Sequence, residues 1–309
     1  MTNYLVEPAP HIKSKITTQK IMLHVIIALM PSVIASTYIY GLRALLMIVI
    51  CSASCVLAEL LFEKITKRPR TINDLSAVVT GVLLAFNLPP TLPFYMAIIG
   101  SIVAIVVVKQ FFGGIGQNSA NPAITARIVL MLSFSSYMTT WVQPFYYKMT
   151  ADAVSAATPL ASEEATELFD LFFAKSGCIG ECCNAALLLG GLYLILTRII
   201  TPVVPIAYIG TVALLTWLTG GDTVSQILSG GLILGSFFMA TDYATTPIRS
   251  SGKLIFAVGC GLLTFVIRNF GTMPEGVSYS ILIMNILVPY IDKLTASHPF
   301  GAKKEAKKS

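Results

Sequence analysis

The run from Gly113 to Pro122, Gly-Gly-Ile-Gly-Gln-Asn-Ser-Ala-Asn-Pro, collects residue types suited to holding a ligand. Gly113, Gly114 and Gly116 let backbone N–H groups approach a bound molecule closely, and the amides of Asn118 and Asn121 offer donors and acceptors together. Pro122 suits the first turn of a following helix, on which Arg127 lies a little further along. The same composition also serves a capped re-entrant turn, because irregular backbone at membrane depth must satisfy its own polar groups. A second run, Asp152 to Leu160, sets Thr158 among small neighbours. With no His or Cys base beside it, Thr158 is a weak nucleophile. As the acceptor of an attached group it needs only an accessible hydroxyl, and as a bland alternative it is a turn or cap residue. No catalytic acid, base or nucleophile is assigned.

Glu59, Asp242 and Asp292 lie near the ends of apolar segments, where ionisable groups are costly and mark ion pathways when they are not simply solvated. Asp74 reads as a charge at a helix N-terminus. Cys178, Cys182 and Cys183 form a C-x3-C-C group read as a disulfide or free thiols, while Cys51, Cys55 and Cys260 read as packing residues. Without paired C-x-x-C elements, an iron–sulfur cluster within the chain is not expected. His11, His24 and His298 are scattered, so no metal site is expected either.

Elements that position these residues must be membrane helices. Of 309 residues, 55% are hydrophobic and 12% charged, about half the charge of an ordinary soluble domain, and mean hydropathy is +0.77. So few charges cannot coat a water-facing globule. The net charge of +6 sits at loop ends, which argues for membrane topology and against nucleic acid. Continuous rather than alternating apolar runs exclude a transmembrane barrel. The fold class is therefore an all-α polytopic membrane protein, with ten spans at about 20–38, 42–62, 75–89, 94–112, 122–138, 184–200, 203–218, 226–241, 253–268 and 278–292. No signal peptide is read in residues 1–19.

Orientation follows from the basic residues. With the N-terminus cytoplasmic, sixteen of the 21 Lys and Arg residues fall inside, leaving Arg43, Lys148, Lys175 and Arg268 at the outer side and Arg127 within a span. The positive-inside rule then puts both termini in the cytoplasm. The organisation expected is a cytoplasmic segment 1–19, a first five-helix repeat 20–138, an acidic extracytoplasmic loop 139–183, a second five-helix repeat 184–292 and a basic cytoplasmic tail 293–309. With an odd number of spans per half, any structural repeat must be inverted. Thr80-Gly81-Val82-Leu83-Leu84 echoes Gly230-Gly231-Leu232-Ile233-Leu234, and Phe111-Phe112-Gly113 echoes Asn269-Phe270-Gly271.

The residues from Asp152 through Ser155 and Ala157 to Thr158 resemble the flavinylation motif D-x-x-[ST]-G-A-T of the NqrB/RnfD family, in which a transferase joins FMN through its phosphate to the last Thr. Asn118, Asn121 and Pro122 match that family's Gly-rich loop, and Phe238-Met239-Ala240-Thr241-Asp242 resembles a further family segment. The likeness covers essentially the whole chain, and the short N-terminus favours the RnfD branch. Ala156 departs from the pattern by standing at the usual Gly. The resemblance implies a cytoplasmic-membrane component of a prokaryotic Rnf complex, relaying electrons between ferredoxin and NAD⁺ with Na⁺ or H⁺ translocation. It implies covalent FMN on Thr158, a noncovalent riboflavin toward the cytoplasmic side, an FMN transferase for maturation, lipid, and the A, B, C, E and G components of the Rnf complex as partners. It also associates Glu59, Asp242 and Asp292 with cation uptake.

The competing reading is an inverted-repeat transporter or channel without a redox cofactor, and a purely structural scaffold is a third. Neither an NAD nor a ferredoxin site is expected on this chain, which lacks G-x-G-x-x-G after a strand.

Overall fold

A computed structural model describes residues 17–68, 71–148, 155–156, 168–271 and 276–296. Each of the ten expected spans contains helix, two of them interrupted. They are α1 (Thr18–Tyr40), α2 (Leu42–Thr66), α3 (Ser76–Phe86), α4 (Phe94–Gln110), α5 (Pro122–Ser133), α6 (Asn184–Leu196), α7 (Val203–Leu218), α8 (Leu232–Leu234 continuing as Gly235–Met239), α9 (Ser250–Phe270) and α10 (Val277–Thr295). Among the described residues, only α1, α2, α9 and α10 are long and apolar enough to cross a bilayer by themselves. Just 22% to 44% of their apolar windows is buried, and Ile34, Leu61 and Leu262 on them are exposed, as is Leu214 on α7. Apolar side chains on that much outer surface require lipid or neighbouring proteins around them. The chain is a multi-pass membrane protein.

The short helices are cut by identifiable residues. α3 ends at Asn87, whose Nδ2 donates to Leu83 O at 2.6 Å, ahead of Pro89 and Pro90. The span expected at 226–241 breaks in the middle, because Gly230 and Gly231 take φ of +62° and +70°, a left-handed conformation that glycine adopts without steric cost. The expected single segment becomes Thr223–Leu228 and α8. The span expected at 122–138 stops at Phe134, followed by the short helix Ser135–Met138. Two helices carry π-type stretches, Val103–Gln110 in α4 and Gly235–Met239 in α8.

α2 packs on α3 and α4, α9 on α7 and α10, and the halves meet through α1 on α6 and α5 on α10. Small residues set the closest approaches, as membrane helices require when lipid supplies no hydrophobic drive. A Cβ at Gly81 would fall 2.5 Å from the Ser52 Cα, and one at Gly190 would fall 2.0 Å from the Ala28 carbonyl oxygen.

Of the expected loop 139–183, part packs against the helices. Trp141–Val142 and Ser155–Ala156 form a two-residue antiparallel strand pair, but Cys178 to Cys183 return into the core. Ile179 is fully buried and its N–H donates to Leu88 O at 3.0 Å. The sequence boundary at 183 marks the start of α6, while the chain re-enters the protein several residues earlier. All six cysteines are buried thiols, so thiols replace the disulfide alternative for Cys178, Cys182 and Cys183.

Candidate functional site

The loop between α4 and α5 closes one side of a cavity walled by α1, α3, the end of α8 and the segment that follows it. Its walls are mostly apolar, with Met22, Val25, Leu83, Leu194 and Phe238 among them. Polar groups converge from four places: Ser76 and Thr80 on α3, Lys109 on α4, Asn118 and Asn121 on the loop, and Thr241 and Asp242 after α8. An apolar pocket with a few converging polar groups is the ordinary form of a small-molecule site.

The sequence expected one unit from Gly113 to Arg127, and the structure divides it. Gly116, Asn118 and Asn121 line the cavity, while Gly113, Gly114 and Arg127 do not. Gly116 has φ of +82° and open space where a Cβ would stand. Asn118 Nδ2 donates to Ala120 O at 3.0 Å, and its Oδ1 carries no hydrogen bond among the described residues. Asn121 serves the architecture: its Oδ1 caps α5 by accepting from the Ala123 and Ile124 N–H groups at 3.0 and 3.4 Å, and its Nδ2 donates to Met239 O at 3.3 Å. It therefore ties the start of α5 to the end of α8, the re-entrant-turn role weighed from composition.

Arg127 lies deeper, 3% exposed. Its Nη1 donates to Asn87 Oδ1 and Ser278 Oγ, each at 2.9 Å, and its Nη2 lies 3.5 Å from Cys178 Sγ. One guanidinium thus joins the end of α3, the start of α10 and the returning segment at Cys178. Its fork of rigid donors suits that junction.

Beside the cavity lies a buried polar cluster between α2, α3 and α4. Glu59 Oε1 accepts from Lys109 Nζ at 2.7 Å and Gln110 Nε2 at 2.7 Å. Thr71 Oγ1 is 2.5 Å from Glu63 Oε1 and 3.3 Å from Glu59 Oε1, so its single hydrogen serves one carboxylate at a time. Asp74 Oδ1 accepts from the Ser76 N–H and Oγ at 2.8 and 2.5 Å, which bears out its reading at a helix start. Glu59 Oε2, Glu63 Oε2 and Asp74 Oδ2 are buried without a partner among the described residues. Of this cluster only Glu59 and Asp74 stood out in the sequence. Lys109 reads there as one more charge at a helix end, and nothing local tells that it turns inward.

Asp242 follows α8 and lines the cavity, accepting from Thr245 Oγ1 at 3.2 Å. Burial pushes its carboxyl above the ordinary value, opposed by hydrogen bonds from the Ala244 N–H and Thr245. The Thr241 and Thr246 hydroxyls donate instead to Phe237 O and Ala240 O. Asp292 stands apart, accepting the Ile248 N–H at 3.1 Å, and Arg249 donates to Thr295 O at 2.7 Å. Asp242 therefore lines the cavity and Glu59 stands behind its Lys109, whereas Asp292 holds the turn before α9.

Of the second motif, Ser155 and Ala156 are described as strand, paired with Val142 and Trp141. Asp152, Ala157 and Thr158 lie outside the described residues. Extended backbone is open to any L residue, so the local conformation accepts Ala156 where the motif usually has Gly.

A family model described as the NQR2, RnfD, RnfE family matches residues 5–301. Among curated relatives, the D component of the Na⁺-translocating ferredoxin:NAD⁺ oxidoreductase complex of Acetobacterium woodii is 47% identical, with 99% of this chain and 98% of that protein covered. The D component of the proton-translocating ferredoxin:NAD⁺ oxidoreductase complex of Clostridium ljungdahlii is 40% identical, covering 97% of each chain. The D component of the ion-translocating oxidoreductase complex of Stutzerimonas stutzeri is 37% identical over 94% of each.

Proposed function

The chain belongs to the NQR2, RnfD, RnfE family, and from that premise we propose that it is the RnfD component of an ion-translocating ferredoxin:NAD⁺ oxidoreductase complex of a prokaryotic cytoplasmic membrane. Both termini face the cytoplasm in this reading, and the A, B, C, E and G components of the complex are its partners. An FMN transferase attaches FMN to Thr158 on the outer side, and riboflavin occupies the cavity beside Asn118. Bound flavins supply the electron-carrying chemistry. The protein positions them, excludes water and sets the local charge.

The observation that carries the cavity assignment is that the Gly-rich loop read from the sequence closes an apolar enclosure with an amide oxygen still open. The pyrimidine edge of a flavin presents both carbonyls and an N–H, and Asn118 Oδ1 suits the N–H. Asn118→Ala removes the hydrogen bond offered to the ligand, about 1–3 kcal/mol, besides the loop bond to Ala120 O, and so weakens retention at least about 5- to 150-fold. Riboflavin content of the purified complex should fall on dilution while covalent FMN stays constant. Unchanged riboflavin stoichiometry would place the ligand elsewhere.

Asp242 is proposed to couple electron transfer to cation movement, because it is a carboxylate on the cavity wall at the end of α8. The relatives' names divide between Na⁺ and protons, so both ions are assayed. In Asp242→Asn, reconstituted vesicles should lose Na⁺ uptake or proton pumping while both flavins remain bound and reducible. Wild-type transport in that variant would leave Asp242 as a turn residue held by Thr245.

A further inference from the structure

We propose that Lys109 sets the charge of the inner cavity, presenting its ammonium to the bound ligand, and that Glu59 behind it adjusts how strongly that charge is felt. The proposal rests on the reading of the cavity as a flavin site. Lys109 is 3% exposed and sits in the π-type stretch Val103–Gln110, the kind of helical irregularity that recurs at functional sites. Its Nζ donates to Glu59 Oε1 at 2.7 Å and to Ser76 Oγ at 2.6 Å. An ammonium has three hydrogens, which leaves one without an acceptor among the described residues.

The direction of the pair is fixed by its surroundings. Lys109 and Ser76 are on the cavity wall, whereas Glu59 is not. Ser76 Oγ is itself committed as a donor to Asp74 Oδ1, so it can only accept from Lys109. Gln110 Nε2 donates to the same Glu59 Oε1 at 2.7 Å. The positive end of the ion pair therefore faces the ligand and the negative end faces α2. In a poorly hydrated interior such an oriented pair acts over several ångströms with little screening. A ring system that gains an electron gains negative charge, and this arrangement favours that charged form. No bond is made or broken at Lys109.

A purely structural tie between α2, α3 and α4 would also use this ion pair, and the two roles separate by sign. The purified complex is titrated spectroelectrochemically, with mediators supplying the electrons and the covalent flavin as internal reference. Lys109→Met should lower the potential of the noncovalent flavin, with at least a tenfold smaller reduced fraction at fixed potential, equivalent to about 59 mV for one electron. Glu59→Gln keeps the ammonium and removes its counter-charge, so it should shift the same flavin the opposite way. The uncharged double variant Lys109→Met/Glu59→Gln guards against misfolding from an unpaired buried charge, and it should lie between Lys109→Met and the wild type. The covalent flavin should not move. Bound noncovalent flavin with no shift, or with shifts of the same sign in both single variants, would overturn the role of Lys109. A wild-type complex without noncovalent flavin would overturn the cavity reading first, and the role of Lys109 with it.

Discussion

Thr158→Val should abolish covalent flavin while leaving the protein assembled in its complex. The linkage proposed is a phosphoester to the Thr158 hydroxyl, and Val keeps the shape of Thr while removing the only atom that can accept the phosphate. The effect is therefore all or none. In-gel fluorescence at the 33.2 kDa mass of the chain, after co-expression with the transferase, should disappear. Assembly should persist, because the adjacent strand pair between Ser155–Ala156 and Trp141–Val142 is joined through backbone groups. Retained fluorescence in Thr158→Val would refute the attachment site. The same experiment separates the redox reading from a transporter or scaffold, neither of which binds a chromophore.

Arg127→Leu should cost folding stability rather than ligand. Truncating this guanidinium strands Asn87 Oδ1, loses the bond to Ser278 Oγ and removes the contact with Cys178 Sγ. Each buried partner left unsatisfied costs about 1–3 kcal/mol, and these partners lie on three separate segments. The detergent-solubilised variant should unfold at a clearly lower temperature, and Cys178, buried in the wild type, should become reactive toward maleimide. Arg127→Lys should recover only part of the loss, since a point charge cannot reproduce donors on two nitrogens. Unchanged melting and an unreactive Cys178 would show that the junction is dispensable.

Arg127 also shows where reading the chain from its residues stops. The Gly-rich loop and Arg127 are close in sequence and invite assignment to one site. A residue five positions into α5, however, points into a different layer from the loop that precedes the helix. Its partners Asn87, Ser278 and Cys178 are 40, 151 and 51 residues away. Asn121 shows the opposite case. Its capping of α5 is local, carried by the Asn-Pro pair itself, and only its tie to Met239 needed the fold. Lys109 falls between the two: its position at a helix end is plain from the chain, but its inward turn depends on the π-type stretch and on Glu59 waiting on α2.

Hydropathy and charge by themselves determined that this chain is helical and multi-pass, where its ten apolar segments lie, and which loop is rich in glycine and amides. These are properties of neighbouring residues, and lipid enforces them strongly because backbone groups cannot remain unpaired in hydrocarbon. Only the tertiary structure decided which segments are too short to span alone, that Cys178 to Cys183 return into the core, and that Glu59, Lys109 and Ser76 form one chain of contacts beside the loop. Those outcomes depend on how closely helices approach, which Gly81 and Gly190 permit through space rather than along the sequence.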